Sequence, residues 1–344
     1  MGYTLSLLDK SPLGENDNAA QALARSVALA RQAEAWGYQR YWLAEHHNTL
    51  RLACPSPEIL IAHILAQTTR IRVGSGGVML QHYSPYKVAE NFNLLAALAP
   101  GRVDLGVGKA PGGLPLSTRA LQAARDPQHK PPFEAQLAEL VAHLTPAPAD
   151  VPGTGSAGSP ETEASAVLRA TPLPPEPAQP FLLGASIASA ELAARHGWPL
   201  VYAAHINGAP AEVDRVLGHY RQLTGRPALL AISVIASEDA AEAARLATGQ
   251  QHFRVRVGDG QAVNVGSLQQ AEAYVRQAGG GDHQIEPREV HVLHGSGADV
   301  VRALDALHER HGIAEFIIDQ PLLEGDARLA SARLLAEAYR ARQG

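Results

Sequence analysis

Residues Ile71–Leu80 read IRVGSGGVML and Arg102–Gly108 read RVDLGVG, with YKVAENFNLLAAL over Tyr86–Leu98 between them. Two short apolar runs flank a segment whose apolar residues recur at helical spacing, the pattern of a βαβ unit whose strands are buried on both faces. The unit repeats outward in both directions. Toward the N-terminus, Tyr3–Leu8 reads as a strand and Asn18–Trp36 as a helix stopped by Gly37, and Arg40–Ala44 and Pro57–Thr68 follow as strand and helix. Toward the C-terminus, the strand runs Phe181–Gly184, Leu200–Ala204 and Ala228–Ala236 precede the helical segments Ser189–His196, Pro210–Thr224 and Asp239–Phe253. Glu315–Asp319 and the amphipathic Ala327–Arg342 close the series. Eight strands alternating with helices predict an α/β fold, a closed (β/α)8 TIM barrel. A doubly wound open sheet would show a glycine-rich phosphate turn after its first strand, and Leu8-Asp9-Lys10-Ser11-Pro12-Leu13-Gly14 is not one.

The 344 residues suit one such barrel, so a single domain is expected over 1–344. Two stretches interrupt the alternation. Nine prolines between Pro146 and Pro180, interleaved with Gly, Ser and Thr, give a mobile-loop composition at about 146–178. Residues 255–312, which include helix-like Ser267–Ala278 and Asp299–His311 and the strand-like Glu289–Leu293, read as an insertion before the last strand.

Lys plus Arg is 29 against 34 Asp plus Glu, a net charge of −5 that carries no nucleic-acid footprint. Hydrophobic residues make up 46% and charged residues 18%, too apolar for a disordered chain. The one cysteine, Cys54, forms no internal disulfide, which points to a reducing, cytoplasmic setting. Tyr3–Leu8 meets Asp9 and Lys10 too soon for a signal-peptide core, and the longest apolar run, Ala228–Ala236, is too short to span a bilayer, so no membrane role is expected.

A parallel barrel carries its active site at the C-terminal strand ends. Trp42-Leu43-Ala44-Glu45-His46-His47 ends an apolar strand in one carboxylate and two imidazoles, a cluster that local turn chemistry does not demand. Neighbouring residues on a strand point to opposite sides, so His46 and His47 are poorly placed to share a metal, and His308-Glu309-Arg310-His311 has the wrong spacing to complete a set. No metal is expected. Ser75-Gly76-Gly77 marks a bulge or the close approach of a ligand. Lys109, one of only four lysines, follows a glycine-bearing strand end and suits an anion, although the surroundings are not a Walker motif. Gly184-Ala185-Ser186-Ile187-Ala188-Ser189 runs a strand through a small-residue turn into a helix, where free amides and hydroxyls can hold a phosphate; simple capping by serine explains the same residues.

These residues resemble the bacterial luciferase-like flavin-dependent monooxygenase family. The resemblance is carried by Trp42-Leu43-Ala44-Glu45-His46-His47-Asn48, Gly74–Leu80 with Pro85 and Ala89-Glu90, Pro100-Gly101-Arg102, Gly108-Lys109, and Gly184–Gly197. It implies the (β/α)8 barrel and an oxidoreductase using reduced FMN and dioxygen, through C4a-peroxyflavin chemistry, on a small organic substrate. It further implies a separate NAD(P)H:flavin reductase and a homodimer. By matching position, His46 would be the general base, with Glu45 and His47 beside it. Ser75, Gly76 and Gly77 would contact the flavin ring, with a cis peptide at Gly76-Gly77, and Lys109, Ala185, Ser186 and Ser189 would hold its phosphate. Ala203, Ala204 and the proline-rich stretch depart from the luciferase proper, so light emission is not implied. An F420-dependent oxidoreductase on the same barrel, a flavin-binding protein without turnover, and a metal-dependent hydrolase using Glu45, His46 and His47 are the rival readings.

Overall fold

Eight parallel strands close into a barrel in the computed structural model, which describes residues 2–126, 129–145, 168–260 and 262–343. The strands are β1 (Thr4–Asp9), β2 (Arg40–Leu43), β3 (Arg72–Met79), β4 (Val103–Gly108), β5 (Gln179–Gly184), β6 (Leu200–Ala203), β7 (Leu229–Ala236) and β12 (Glu315–Asp319). Each pairs with the next, β6 with β7, and β12 closes the ring between β7 and β1. Helices start and stop where local chemistry dictates. Asn18 and Gln21 form a capping box at the helix Ala19–Trp36, and Gly37, at φ 82°, ends it in the left-handed conformation that glycine adopts without strain.

Alternation along each strand sorts side chains into two sets. Leu5, Leu7, Tyr41, Leu43, Phe316 and Ile318 point outward into the core shared with the helices. Leu8, Trp42, Phe181, Val201, Ala231 and Ile317 point inward and fill the barrel. Below this apolar layer lies a buried ionic floor. Arg40 donates from Nε to Glu315 (2.8 Å) and from Nη1 to Asp104 (2.9 Å), and Trp42 Nε1 donates to Asp104 (2.9 Å). Every charge there has an opposite partner, the condition under which burial is tolerated.

The sequence reading of Asp239–Phe253 as one helix is corrected. The helix is Ala240–Ala247, Gly249 takes a φ of 83°, and β8 (Gln251–Val257) begins there. Phe253, Val255 and Val257 alternate onto one face and cover Ala271 and Val275, a period of two that the helical reading overrode. With β9 (Val263–Val265) and β10 (His283–Glu289), β8 forms a small antiparallel sheet over the helix Leu268–Gln277. The rest of the stretch expected as an insertion behaves differently. β11 (Val292–Gly295) pairs with the end of β7, and the helix Gly297–His311 buries Val300, Val301 and Leu304 in the main core.

Most of the proline-rich loop, 146–167, lies outside the described residues. Its described end is tied down, since Tyr86 Oη donates to Arg169 O (3.0 Å) and Asn93 Nδ2 to Ala170 O (2.7 Å).

Candidate active site

The inward parity that places Trp42 in the barrel carries Ala44 and then His46 to its C-terminal mouth. The same step takes Leu8 to Lys10, Ala231 to Ser233 and Ile317 to Asp319. Lys10 Nζ lies 2.8 Å from Asp319 Oδ1, and Ser233 Oγ donates to Asp319 Oδ2 (2.9 Å). His205, just past β6 and 7% exposed, completes the wall; its backbone N–H is held by Ala231 O (3.0 Å). The Nδ1 atoms of His46 and His205 are buried and find no hydrogen-bond partner among the described residues.

Electrostatics follow from that packing. Burial first, then the Lys10 ammonium and His47, lower the His46 imidazole to about 4, against an upward pull from Asp319. Burial also leads for His205, likewise lowered to about 4. Asp319 would rise on burial alone, but Lys10 and His205 hold it at about 2. At neutral pH the wall therefore presents one ammonium, one carboxylate and two neutral imidazoles, and a neutral imidazole is able to accept a proton.

Glu45 and His47 belong to a different network, because they flank His46 and outward parity applies to Glu45. Glu45 Oε1 accepts from Tyr83 Oη (2.8 Å) and lies 2.7 Å from His47 Nε2, and Oε2 accepts from Met79 N (3.1 Å). Burial, then Glu45, pushes the Tyr83 hydroxyl well up from its ordinary value, which keeps it a donor. His82 packs edge-on to His47 with ring centroids 5.8 Å apart. The structure thus separates the three residues that the motif sets side by side.

On β3, Gly76-Gly77 is a cis peptide, and β-carbons there would lie 2.6 Å from Leu8 Cδ1 and 2.7 Å from Gly106 O. Only glycine fits. Ser75 points outward and donates to Gly106 O (2.8 Å), so its hydroxyl is engaged away from the barrel interior. Across the mouth, Ser186 caps the helix Ile187–Arg195, accepting from Ser189 N (3.2 Å), with the two hydroxyl oxygens 3.0 Å apart. A β-carbon on Gly184 would stand 2.3 Å from Ser189 Oγ, so glycine is what lets the turn close on those hydroxyls. Lys109 follows the neighbouring strand β4, half exposed, with Nζ 4.0 Å from Glu134. No group of three or more His, Cys, Asp or Glu side chains among the described residues is placed to hold a metal.

A family model for luciferase-like monooxygenases matches residues 4–314. The chain belongs to that family. It is 40% identical, over 97% of both chains, to the N-acetyl-S-alkylcysteine monooxygenase of Bacillus subtilis (strain 168). Its fold is similar to that of apo-MsnO8, with a TM-score of 0.74, 31% identity and 98% of each chain covered. The FMN complex of the oxygenating constituent of 3,6-diketocamphane monooxygenase from Pseudomonas putida shares the fold at a TM-score of 0.67 and 18% identity, covering 98% of this chain and 97% of its own. So does an F420-dependent secondary alcohol dehydrogenase at 0.63 and 15%, over 98% and 99%.

Reading the sequence alone missed Lys10, His205, Ser233, Asp319 and Tyr83. The scarcity of lysine that singled out Lys109 applies equally to Lys10 at the end of β1, and Asp319 is the last residue of its strand. Those signals were present. Nothing local marks His205 or Tyr83.

Proposed function

We propose that this luciferase-like chain is a monooxygenase that uses reduced FMN and dioxygen on a small organic substrate, the reduced flavin coming from a separate NAD(P)H:flavin reductase. The observation that carries the reading is the pairing of a half-buried, unprotonated His46 with a glycine-lined β3 and a serine-capped helix start at the same barrel mouth. These residues fit a flavin phosphate. The hydroxyls of Ser186 and Ser189 and the free amides after Ser186 would donate to phosphate oxygens at a helix N-terminus, and Lys109 adds a positive charge from the adjacent strand. Gly76 and Gly77 would contact the flavin ring through their backbone, the space a β-carbon would take being filled by Leu8 and Gly106. Bound reduced FMN supplies the electrons that activate dioxygen. His46 takes up or returns the proton at its imidazole, and Glu45 acts through His47 and Tyr83 as a support for the β2 end rather than as a base.

The relative from Bacillus subtilis makes N-acyl S-alkyl amino acids the first substrates to test. We read the protein as a single cytoplasmic domain, consistent with a free, buried Cys54, with 251–289 as a unit added to the barrel. We also read it as a homodimer, since Ile59, Leu94 and Leu98 are 71%, 51% and 69% exposed on the adjacent helices Pro57–Leu65 and Pro85–Leu98. The deciding experiment compares binding of FMN, reduced FMN and F420, then follows label from ¹⁸O₂ into product. Reduced FMN should bind best and one labelled oxygen should appear. Tight F420 binding without label would overturn the reading. His46→Ala should lower turnover about 10²- to 10⁴-fold with FMN affinity kept, and unchanged turnover would remove His46 from the proton step.

A further inference from the structure

The flavin reading leaves one wall of the mouth without a role. Lys10, Ser233 and Asp319 reach it from β1, β7 and β12 by the same inward parity, and His46 and His205 join from the ends of β2 and β6. Asp319 is 2% exposed, with Ser233 donating to its Oδ2 and the Lys10 ammonium ion-paired at 2.8 Å to its Oδ1, which makes no hydrogen bond among the described residues. It holds the ammonium in place. Donor capacity also remains on the wall. Lys10, 25% exposed at its side chain, turns at most one of three N–H bonds to Asp319, and the imidazoles of His46 and His205 keep nitrogens with no protein partner among the described residues. Spare ammonium N–H bonds beside an imidazole that is able to take up a proton suit an oxygen acceptor that carries negative charge.

We infer that this wall is the subsite for a carboxylate on the organic substrate, with Lys10 Nζ, paired with Asp319, as its ionic partner and His205 as a flanking hydrogen-bond donor once protonated. The inference rests on the monooxygenase reading only in taking that carboxylate to belong to the molecule oxygenated. It places the substrate's charged end across the mouth from the Ser186 and Ser189 turn, so two anions are held by separate groups.

Protonation follows. His46 faces Lys10, His47, Asp319 and His205, and His205 faces Asp319, Lys10, the Ala231 carbonyl and His252. Both imidazoles lie low while the site is empty of ligand charge. A carboxylate brought onto the wall favours the charged form of His205, so binding takes up a proton and tightens as pH falls from 8 toward 6. A neutral carbonyl oxygen on the same donors would show neither effect.

The test titrates the full-length protein, flavin-free and FMN-loaded, with N-acetyl-S-methylcysteine and with its carboxamide, by calorimetry at pH 6.0 and 8.0 in two buffers of different ionisation enthalpy. The acid should bind about tenfold or more tighter than the amide at pH 6.0, the scale of a lost charge-assisted hydrogen bond, with net proton uptake and a smaller preference at pH 8.0. In the double variant Lys10→Met/Asp319→Asn, which removes both charges and leaves neither buried alone, the preference should vanish. His205→Gln should keep the preference and reduce the proton uptake. Equal binding of acid and amide by the wild type, binding of neither, or a preference that survives in the double variant would overturn the proposal. The wild-type comparison needs no variant to fold. Oxygen-dependent reoxidation of bound reduced FMN is read separately. Intact reoxidation without carboxylate preference removes the subsite alone, and carboxylate preference without flavin binding removes the flavin reading alone.

Discussion

Acidification is the sharpest probe of the barrel mouth, because His46 departs so far from an ordinary imidazole. Burial first, then Lys10 and His47, carry it from 6.5 to about 4. That is about 2.5 pH units, or roughly 3.4 kcal/mol against protonation in place, at about 1.36 kcal/mol per unit. At pH 6 an ordinary histidine is about three-quarters protonated, whereas one titrating near 4 is about 1% protonated. If neutral His46 takes the proton, kcat/KM for a substrate without a carboxylate, which reports the free enzyme, should hold within about twofold between pH 7.5 and 5.5 and fall only near 4. Stability shares the sign. The unfolded imidazole binds its proton below about 6.5 and the folded one resists until about 4, so the contribution is complete above 6.5 and lost as pH falls through that window, at roughly 3 kcal/mol for such a group. His205 is displaced in the same direction and adds to the slope. The assay is a pH series of the histidine Cε1 proton resonances, with His46→Gln identifying the signal, beside urea unfolding at pH 7.5 and 4.5. A His46 midpoint between 6 and 7, or stability that does not change over that range, would refute the burial argument.

Lys109→Ala should weaken FMN binding far more than riboflavin binding, since only FMN carries the phosphate; equal losses in fluorescence titrations would show that Lys109 is not the anchor. Gly184→Ala places a methyl group 2.3 Å from Ser189 Oγ and 2.4 Å from Ser189 Cβ, so the turn must move. It should lower stability by about 1–3 kcal/mol, as overpacking does, and weaken FMN binding in parallel; an FMN affinity equal to wild type would separate the turn from the cofactor. Leu98→Asp introduces a charge on the exposed apolar face shared with Ile59 and Leu94 and should shift the protein from dimer to monomer in light scattering. A dimer that persists would place the interface elsewhere.

Local sequence carries its information one element at a time. The strand and helix runs, the strand ends and the inward step from Trp42 to His46 were all legible, because burial patterns repeat within a few residues. So was the need for glycine at Gly76 and Gly77, where backbone and side chains crowd any β-carbon. The segment after Ala247 was misread because Phe253 follows Leu246 at a spacing a helix also gives, and only Gly249 and the alternating pattern of β8, set against a packing partner, separate the two readings. Glu45 and His47 looked like members of a catalytic trio because they are adjacent in the chain. Their partners, Tyr83 and Met79 N, reach them only after β3 lies beside β2. Lys10, His205 and Asp319 are separated by 195 and 114 positions, and no short window contains two of them. Closure of the ring brings them together. β12 joins β1 and β7 in one register, and β6 joins β7, so three strand ends meet on one wall. The low imidazole values follow from that meeting, since they depend on burial and on a neighbouring ammonium that the chain supplies only through its tertiary fold.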